Sequence, residues 1–291
     1  MQNNLPQVFI GKVPYELRKA NIAKLRLDQL VWPYGCPDFV GRVEDLSNKD
    51  HIIVNPTTKL LFLPISGVKC HVSLLITEPI AIHERYIKWL WFMRRHFHKV
   101  FHRDKALANK YENVVALHLA DTILDQVESE QPIVKTKLVS LVASAKQDLI
   151  GHQLRHQLVE RLPEATASVD VMGRGFLPFD KKEDSHLPYF YSVVIENVIE
   201  PYYFTEKLID CLLCECVPIY WGCEEVAEYY DSNGIIFCNS LEELLNALDN
   251  VSEEDYHQRI EAIKFNKQQA LKHCKPEKNM ADYLLSEIST Q

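Results

Sequence analysis

The second half of the chain alternates short apolar runs with helical patterns of about ten residues, and few folds accept that rhythm. KLVSLVAS reads as a strand, GHQLRHQLVERL as a helix, and SVDVMG and YSVVIEN as strands. TEKLIDCLLCE then reads as a helix, VPIYWG as a strand, EEVAEYY as a helix, GIIFC as a strand and LEELLNALDN as a helix. Strands alternating with helices in this way imply a parallel sheet with helices on its faces. Ligands of such sheets bind at the carboxyl ends of the strands. Asn197 and the Trp221-Gly222 pair sit at two of those ends.

The first half is mixed. QVFIGKV starts as a strand, YELRKANIAKLRLDQL has helical spacing, and VWPYGCPDF is a Pro/Gly loop. HIIV, LLFLPI and HVSLLI read as strands, RYIKWLWFMRRHF as a helix, KVFH as a strand and ALANKY as a short helix. The polar stretch DQVESEQPIVKTK, 125–137, is the expected interdomain linker. With 291 residues there is room for two domains with cores of their own. The expected division is 1–130, 131–252 and a charged, amphipathic helical tail at 253–291.

Composition excludes several classes. At 47% hydrophobic and 25% charged the chain is globular, and a net charge of −8 disfavours a general nucleic-acid binder. The start lacks the order of a signal peptide, and no apolar run reaches the roughly 20 residues of a membrane span. Of the eight cysteines, Cys211, Cys214, Cys216 and Cys223 crowd one short region. A core this large needs no disulfide framework, and three of these thiols share an apolar helix, so they read as buried hydrophobes rather than metal ligands. A cytoplasmic protein, with or without peripheral membrane contact, is the expectation.

The chemistry concentrates between Tyr191 and Gly222. A helix start just after a strand offers unpaired amides and the positive end of a dipole, which suits an anion. Thr205 caps that start, and Glu206 suits the dipole. Lys207 is a cation at the unfavourable end, as if facing a bound anion. Glu196 and Asn197 close the preceding strand, where carboxylates and amides can hold ribose or sugar hydroxyls, and Tyr203 can stack on a base or sugar. The parts together suit a sugar nucleotide.

Glu196-Asn197, Tyr203, Thr205-Glu206-Lys207 and Pro218-Ile219-Tyr220-Trp221-Gly222 resemble, in order, the donor motif of family-10 glycosyltransferases, the α-1,3/1,4-fucosyltransferases, and the bacterial members most. The resemblance implies two Rossmann-like domains facing across a cleft (the GT-B type), with GDP-fucose as donor and inverting transfer to a glycan hydroxyl. It extends to SAKQDLIGHQLR (144–155), where Arg155 matches an arginine that contacts the donor diphosphate. The family often has Ser-Asn where this chain has Ser144-Ala145. Val169 to Gly175 resembles the strand-to-loop step before the donor site; Phe176-Leu177-Pro178 after its Gly173-x-Gly175 argues against a dinucleotide fingerprint.

The family's catalytic carboxylate closes a strand in the first half. Leu74-Leu75-Ile76-Thr77-Glu78-Pro79 is similar, so Glu78 is the implied base, with Glu84 and Asp104 as alternatives. Arg155, Asn197, Tyr203, Glu206 and Lys207 are the implied donor-binding residues. No tightly bound cofactor is expected, and no Asp-x-Asp triad marks a metal-bridged diphosphate. The cationic run Arg94 to Lys105 reads as a solvated helix face. The expected partners are a GDP-sugar donor and a glycan acceptor, without nucleic acid. Another GDP-sugar as donor, or a sugar-nucleotide-binding or lectin-like protein without catalysis, fits the same residues.

Overall fold

The computed structural model describes residues 8–63, 65–125 and 132–289. The chain divides into two compact units, Met1–Leu119 with Pro276–Gln291, and Ala120–Lys275. Each is an α/β layer structure on a five-stranded parallel sheet.

In the first unit β1 (Ile10–Lys12), β2 (His51–Val54), β3 (His71–Leu75), β4 (Val100–His102) and β5 (Val114–Ala116) lie side by side in chain order. Helices α1 (Ile80–Lys88) and α2 (Leu90–Met93) lie between β3 and β4, and α3 (Lys105–Lys110) between β4 and β5. Alternate residues serve opposite faces. Ile52, Val54, Leu74 and Val100 enter one core, and Ile53, Leu75, Phe101 and Val115 enter another.

Several expectations change here. YELRKANIAKLRLDQL forms short 3₁₀ turns at Tyr15–Leu17, Ile22–Lys24 and Leu27–Gln29 instead of a helix. Its apolar residues Ile22, Leu25 and Leu27 still reach the core, carried there by the turns rather than by one helix face. LLFLPI is not a strand in its described residues: β2 and β3 pair directly, and Phe62 and Leu63 are left exposed. The cationic run is partly structural. Arg94 donates to Asn113 at 3.0 Å, and Asp104 caps α3 by accepting from the Ala106 amide at 2.7 Å.

In the second unit the strands are β6 (Lys137–Val142), β7 (Val169–Met172), β8 (Tyr189–Ile195), β9 (Val217–Trp221) and β10 (Ile236–Phe237). The helices are α4 (Ile150–Arg161), α5 (Glu206–Leu213), α6 (Leu241–Asn250), α7 (Glu253–Gln258) and α8 (Ile260–His273). The spatial order β10-β9-β8-β6-β7 makes β6 and β8 neighbours. The chain moves outward to β7 and then back to the other side of β6, so the winding direction reverses between β6 and β8. Tyr191, Val193 and Ile195 of β8 face a core shared with α4 and α6, whereas Val194 faces α5 and α8. Both faces are covered, which explains the continuous apolar runs.

The supposed tail is not one piece. Residues 253–275 pack in the second unit, whereas α9 (Pro276–Ser289) places Met280, Ala281 and Leu284 on the second face of the first sheet. Ion pairs Lys99–Glu287 at 2.5 Å and Lys12–Glu277 fix that helix. Without α9 the face bearing Ile53, Leu75 and Phe101 would be open to water, at roughly 1.5–3 kcal/mol per large side chain. The first division point also falls earlier than the expected 130/131, at 119/120, because Ala120 and Leu124 pack on α5. Much of the linker (126–131) lies outside the described residues. No described helix is long and apolar enough to cross a membrane.

Candidate functional site

The reversal between β6 and β8 leaves a crevice at their carboxyl ends, the usual ligand position of a doubly wound sheet. A pocket of about 150 Å³ lies there, lined by Val142 at the end of β6, Ala143 and Ser144 just after it, and Val193 to Ile195 of β8. Arg155, Lys182, His186, Glu206 and Lys207 complete its walls.

Helix α4 reaches the pocket because Gly151 lets it touch the end of β8. The Gly151 amide donates to the Asn197 carbonyl at 3.0 Å, and a Cβ there would fall 1.7 Å from the Glu196 carbonyl oxygen. One turn on, Arg155 donates to Asn197 Oδ1 at 2.8 Å and to the Gly151 carbonyl at 3.2 Å. Arg155 is 8% exposed, and burial lowers its proton affinity although Glu196 and Glu206 raise it. Asn197 therefore holds the arginine directly. This differs from the expected role on a sugar hydroxyl.

The start of α5 corrects a second expectation. Its anion is supplied by the protein. Glu196 Oε1 accepts from the Thr205 amide at 2.8 Å, and Oε2 accepts from the Thr205 hydroxyl at 2.9 Å and lies 3.4 Å from Lys207 Nζ. Glu196 is fully buried. Lys207 Nζ also donates to Thr205 Oγ1 at 2.8 Å and pairs with Glu206 Oε1 at 3.3 Å. So a cation at this helix start has partners inside the chain, and its charge alone does not demand a ligand. Burial opposes the Lys207 charge, but Glu196 and Glu206 outweigh it and hold the ammonium above its ordinary value. For Glu206 burial pushes upward, and Lys207 and Thr205 pull it below the usual carboxylate range. The two side chains stay ionised at neutral pH.

The loop before α5 is tightly turned. The Tyr203 amide donates to the Glu200 carbonyl at 3.0 Å, with Pro201 second and Tyr202 third at φ 58°. This is the type II pattern, with Tyr where glycine is usual. The turn leaves Tyr203 only 5% exposed, within Coulombic reach of Arg155. Its ring is covered mostly by protein, so the expected open stacking surface is absent from this structure.

Lys182 and His186 were missed by the sequence reading. They sit on a 3₁₀ turn, Lys182–Ser185, and just after it, between β7 and β8. KKEDSH carries no pattern that marks a site.

In the first unit Glu78 follows β3, in the bend before α1. Arg103 Nη1 donates to the Thr77 carbonyl at 2.9 Å and the Glu78 carbonyl at 3.3 Å, fixing that bend. The alternatives are otherwise engaged. Glu84 pairs with Lys88 at 2.7 Å on an exposed helix face, and Asp104 is the α3 cap.

The sequence profile of glycosyltransferase family 10 (fucosyltransferase), C-terminal part, matches residues 133–280, just over half of the 291. No curated protein sequence matches the chain. Among solved structures, an α1,3-fucosyltransferase is 14% identical over 75% of this chain and 70% of its own, with a TM-score of 0.51. Trehalose-6-phosphate synthase, in a structure concerned with glycosyl transfer with retention, is 11% identical over 83% and 74%, with a TM-score of 0.53. The E. coli trehalose-6-phosphate protein bound with UDP-2-fluoro glucose is 12% identical over 82% and 74%, with a TM-score of 0.52. At these identities the likeness is one of fold, the GT-B type.

Proposed function

The chain belongs to glycosyltransferase family 10, and on that premise we propose that it moves fucose from GDP-fucose to a hydroxyl of a glycan acceptor, with inversion. That it is a glycosyltransferase follows from the family. The donor, the stereochemistry and the residue roles are our reading. The observation that carries it is the pocket at the β6/β8 reversal, where Arg155, Lys182 and Lys207 meet one carboxylate, Glu206. Cationic walls at the carboxyl edge of a doubly wound sheet suit a diphosphate.

In this reading Glu78 takes the proton from the acceptor hydroxyl. The freed oxygen attacks the anomeric carbon opposite the phosphate, and the carbon–oxygen bond to GDP breaks with its electrons leaving on the diphosphate. Arg155 and Lys207 offset that growing charge, an interaction stronger in the transition state than before it. Glu206 holds a ribose or fucose hydroxyl. A base in the Glu78 role contributes a rate factor of roughly 10²–10⁴. Inversion rests on the family resemblance, since trehalose-6-phosphate synthase carries retention on a similar fold.

The test is a panel of GDP-, UDP- and ADP-sugars assayed for nucleotide release with and without acceptor glycans. GDP-fucose turned over only with an acceptor supports the proposal. Transfer from GDP-mannose alone replaces the sugar, and GDP binding without any transfer replaces catalysis with a binding role.

A further inference from the structure

Among the charged side chains of the pocket, one has no partner. Lys207 is paired with Glu196 and Glu206, and Arg155 donates to Asn197 and Gly151. Lys182 Nζ makes no hydrogen bond or ion pair with any described residue, although it lines the same pocket. Burial holds its ammonium below its ordinary value, with Asp210 and Glu206 opposing that from a distance. A half-buried ammonium that no carboxylate touches directly is unfavourable unless something anionic reaches it.

A second group beside it points the same way. His186 is 2% exposed and also lines the pocket, yet neither ring nitrogen has a hydrogen-bond partner. A neutral imidazole carries one N–H that must donate somewhere, and leaving it buried and unmet costs about 1–3 kcal/mol. The backbone of the residue is held in place: the His186 amide donates to the Glu183 carbonyl at 3.0 Å, and its own carbonyl accepts from Cys216 Sγ at 3.0 Å. An unsatisfied donor and an unpaired cation thus share one small pocket.

We propose that Lys182 and His186 form the inner wall of the donor-diphosphate site, Lys182 as a third cation and His186 as a neutral N–H donor to a phosphate oxygen. The inference deepens the donor reading above and rests on it. The pocket's size fits this use. About 150 Å³ is well below the 300–1,000 Å³ typical of whole-ligand sites, so it takes the phosphate part of a nucleotide and leaves the nucleoside outside. Lys182 adds positive charge to that of Arg155 and of Lys207, the latter already shared between two carboxylates.

The test compares guanosine, GMP and GDP by calorimetry in wild type, Lys182→Met, His186→Phe and, as reference, Lys207→Ala. Lys182→Met should lose about ten- to a hundredfold in GDP affinity with guanosine unchanged. His186→Phe should lose about tenfold in the same phosphate-dependent way. A second measurement needs no variant: acetylation footprinting of wild type should show Lys182 protected by GDP and not by guanosine. If Lys207→Ala weakens GDP while Lys182→Met does not, and Lys182 is acetylated equally with and without GDP, this inference falls and the donor site stands. If GDP does not bind wild type at all, the donor reading falls and takes the inference with it.

Discussion

Replacing Gly151 with alanine should disable donor binding without touching a polar group. The new Cβ would sit 1.7 Å from the Glu196 carbonyl oxygen, where ordinary contact begins at 3.4 Å, so about 1.7 Å of separation must be made. Neither side yields easily. Glu196 is tied to Thr205 and Lys207, and its amide is bonded to the Trp221 carbonyl at 2.9 Å. The start of α4 must therefore lift, misaligning the bond from the Gly151 amide to Asn197 and carrying Arg155 away from Asn197 Oδ1. Overpacking costs typically about 1–3 kcal/mol and the lost bond about 1, against a gain of about 1 for alanine over glycine in a helix. The net expectation is a stability loss of about 1–3 kcal/mol by urea unfolding. A misplacement above 1 Å at a positioning residue should also cost on the order of 10²-fold in kcat/KM for the donor. Gly35→Ala is the control, because no heavy atom lies within 4 Å of its Cβ position and only its positive φ opposes the change. A Gly151→Ala protein with the wild-type urea midpoint and GDP affinity would refute the close contact and the part α4 is given in the site.

Other expectations are briefer. Lys207→Ala and Arg155→Ala should each weaken GDP by about 1.5–3 kcal/mol in calorimetry, and unchanged affinity in both would remove the donor site from this pocket. Glu78→Gln should keep GDP affinity and lose turnover in a transfer assay; persisting turnover would hand the base role to another carboxylate. Asp210 is fully buried with Oδ2 unpartnered, and burial raises its carboxyl from 3.8 to about 6. Its protonated form is favoured by the fold, so that contribution is present below 3.8 and lost as pH rises through about 6. Wild type should lose stability relative to Asp210→Asn over that interval by about 2–3 kcal/mol, and parallel stability–pH curves would contradict this. His51 is pushed down to about 3 by burial and by His71 and His98. The unfolded chain takes that proton near 6.5, so stability present above 6.5 should drain away as pH falls toward 3. The melting temperature of His51→Gln should accordingly fall less steeply with acid than that of wild type; an equal slope would absolve this residue.

The doubly wound second unit was legible because its evidence is local. Strand and helix periods, the Thr205 cap and the ordered motif from Glu196 to Gly222 are properties of neighbouring residues. Family membership followed from the same stretch. The first unit was less legible, since Ile22, Leu25 and Leu27 show their burial in the sequence but not the 3₁₀ turns that deliver it. What sequence could not decide was pairing. Arg155 and Asn197 are 42 residues apart, and only the approach allowed by Gly151 turns one into the other's anchor. Lys207 looked like a cation waiting for an anion until the fold set the Glu196 carboxylate against it. Lys182 and His186 looked like nothing until the strand order brought their turn to the crevice beside β8. Local patterns fix which elements form. Whether a buried charge is already compensated depends on residues that only the tertiary structure brings within reach, and that compensation decides which side chain is left for a ligand.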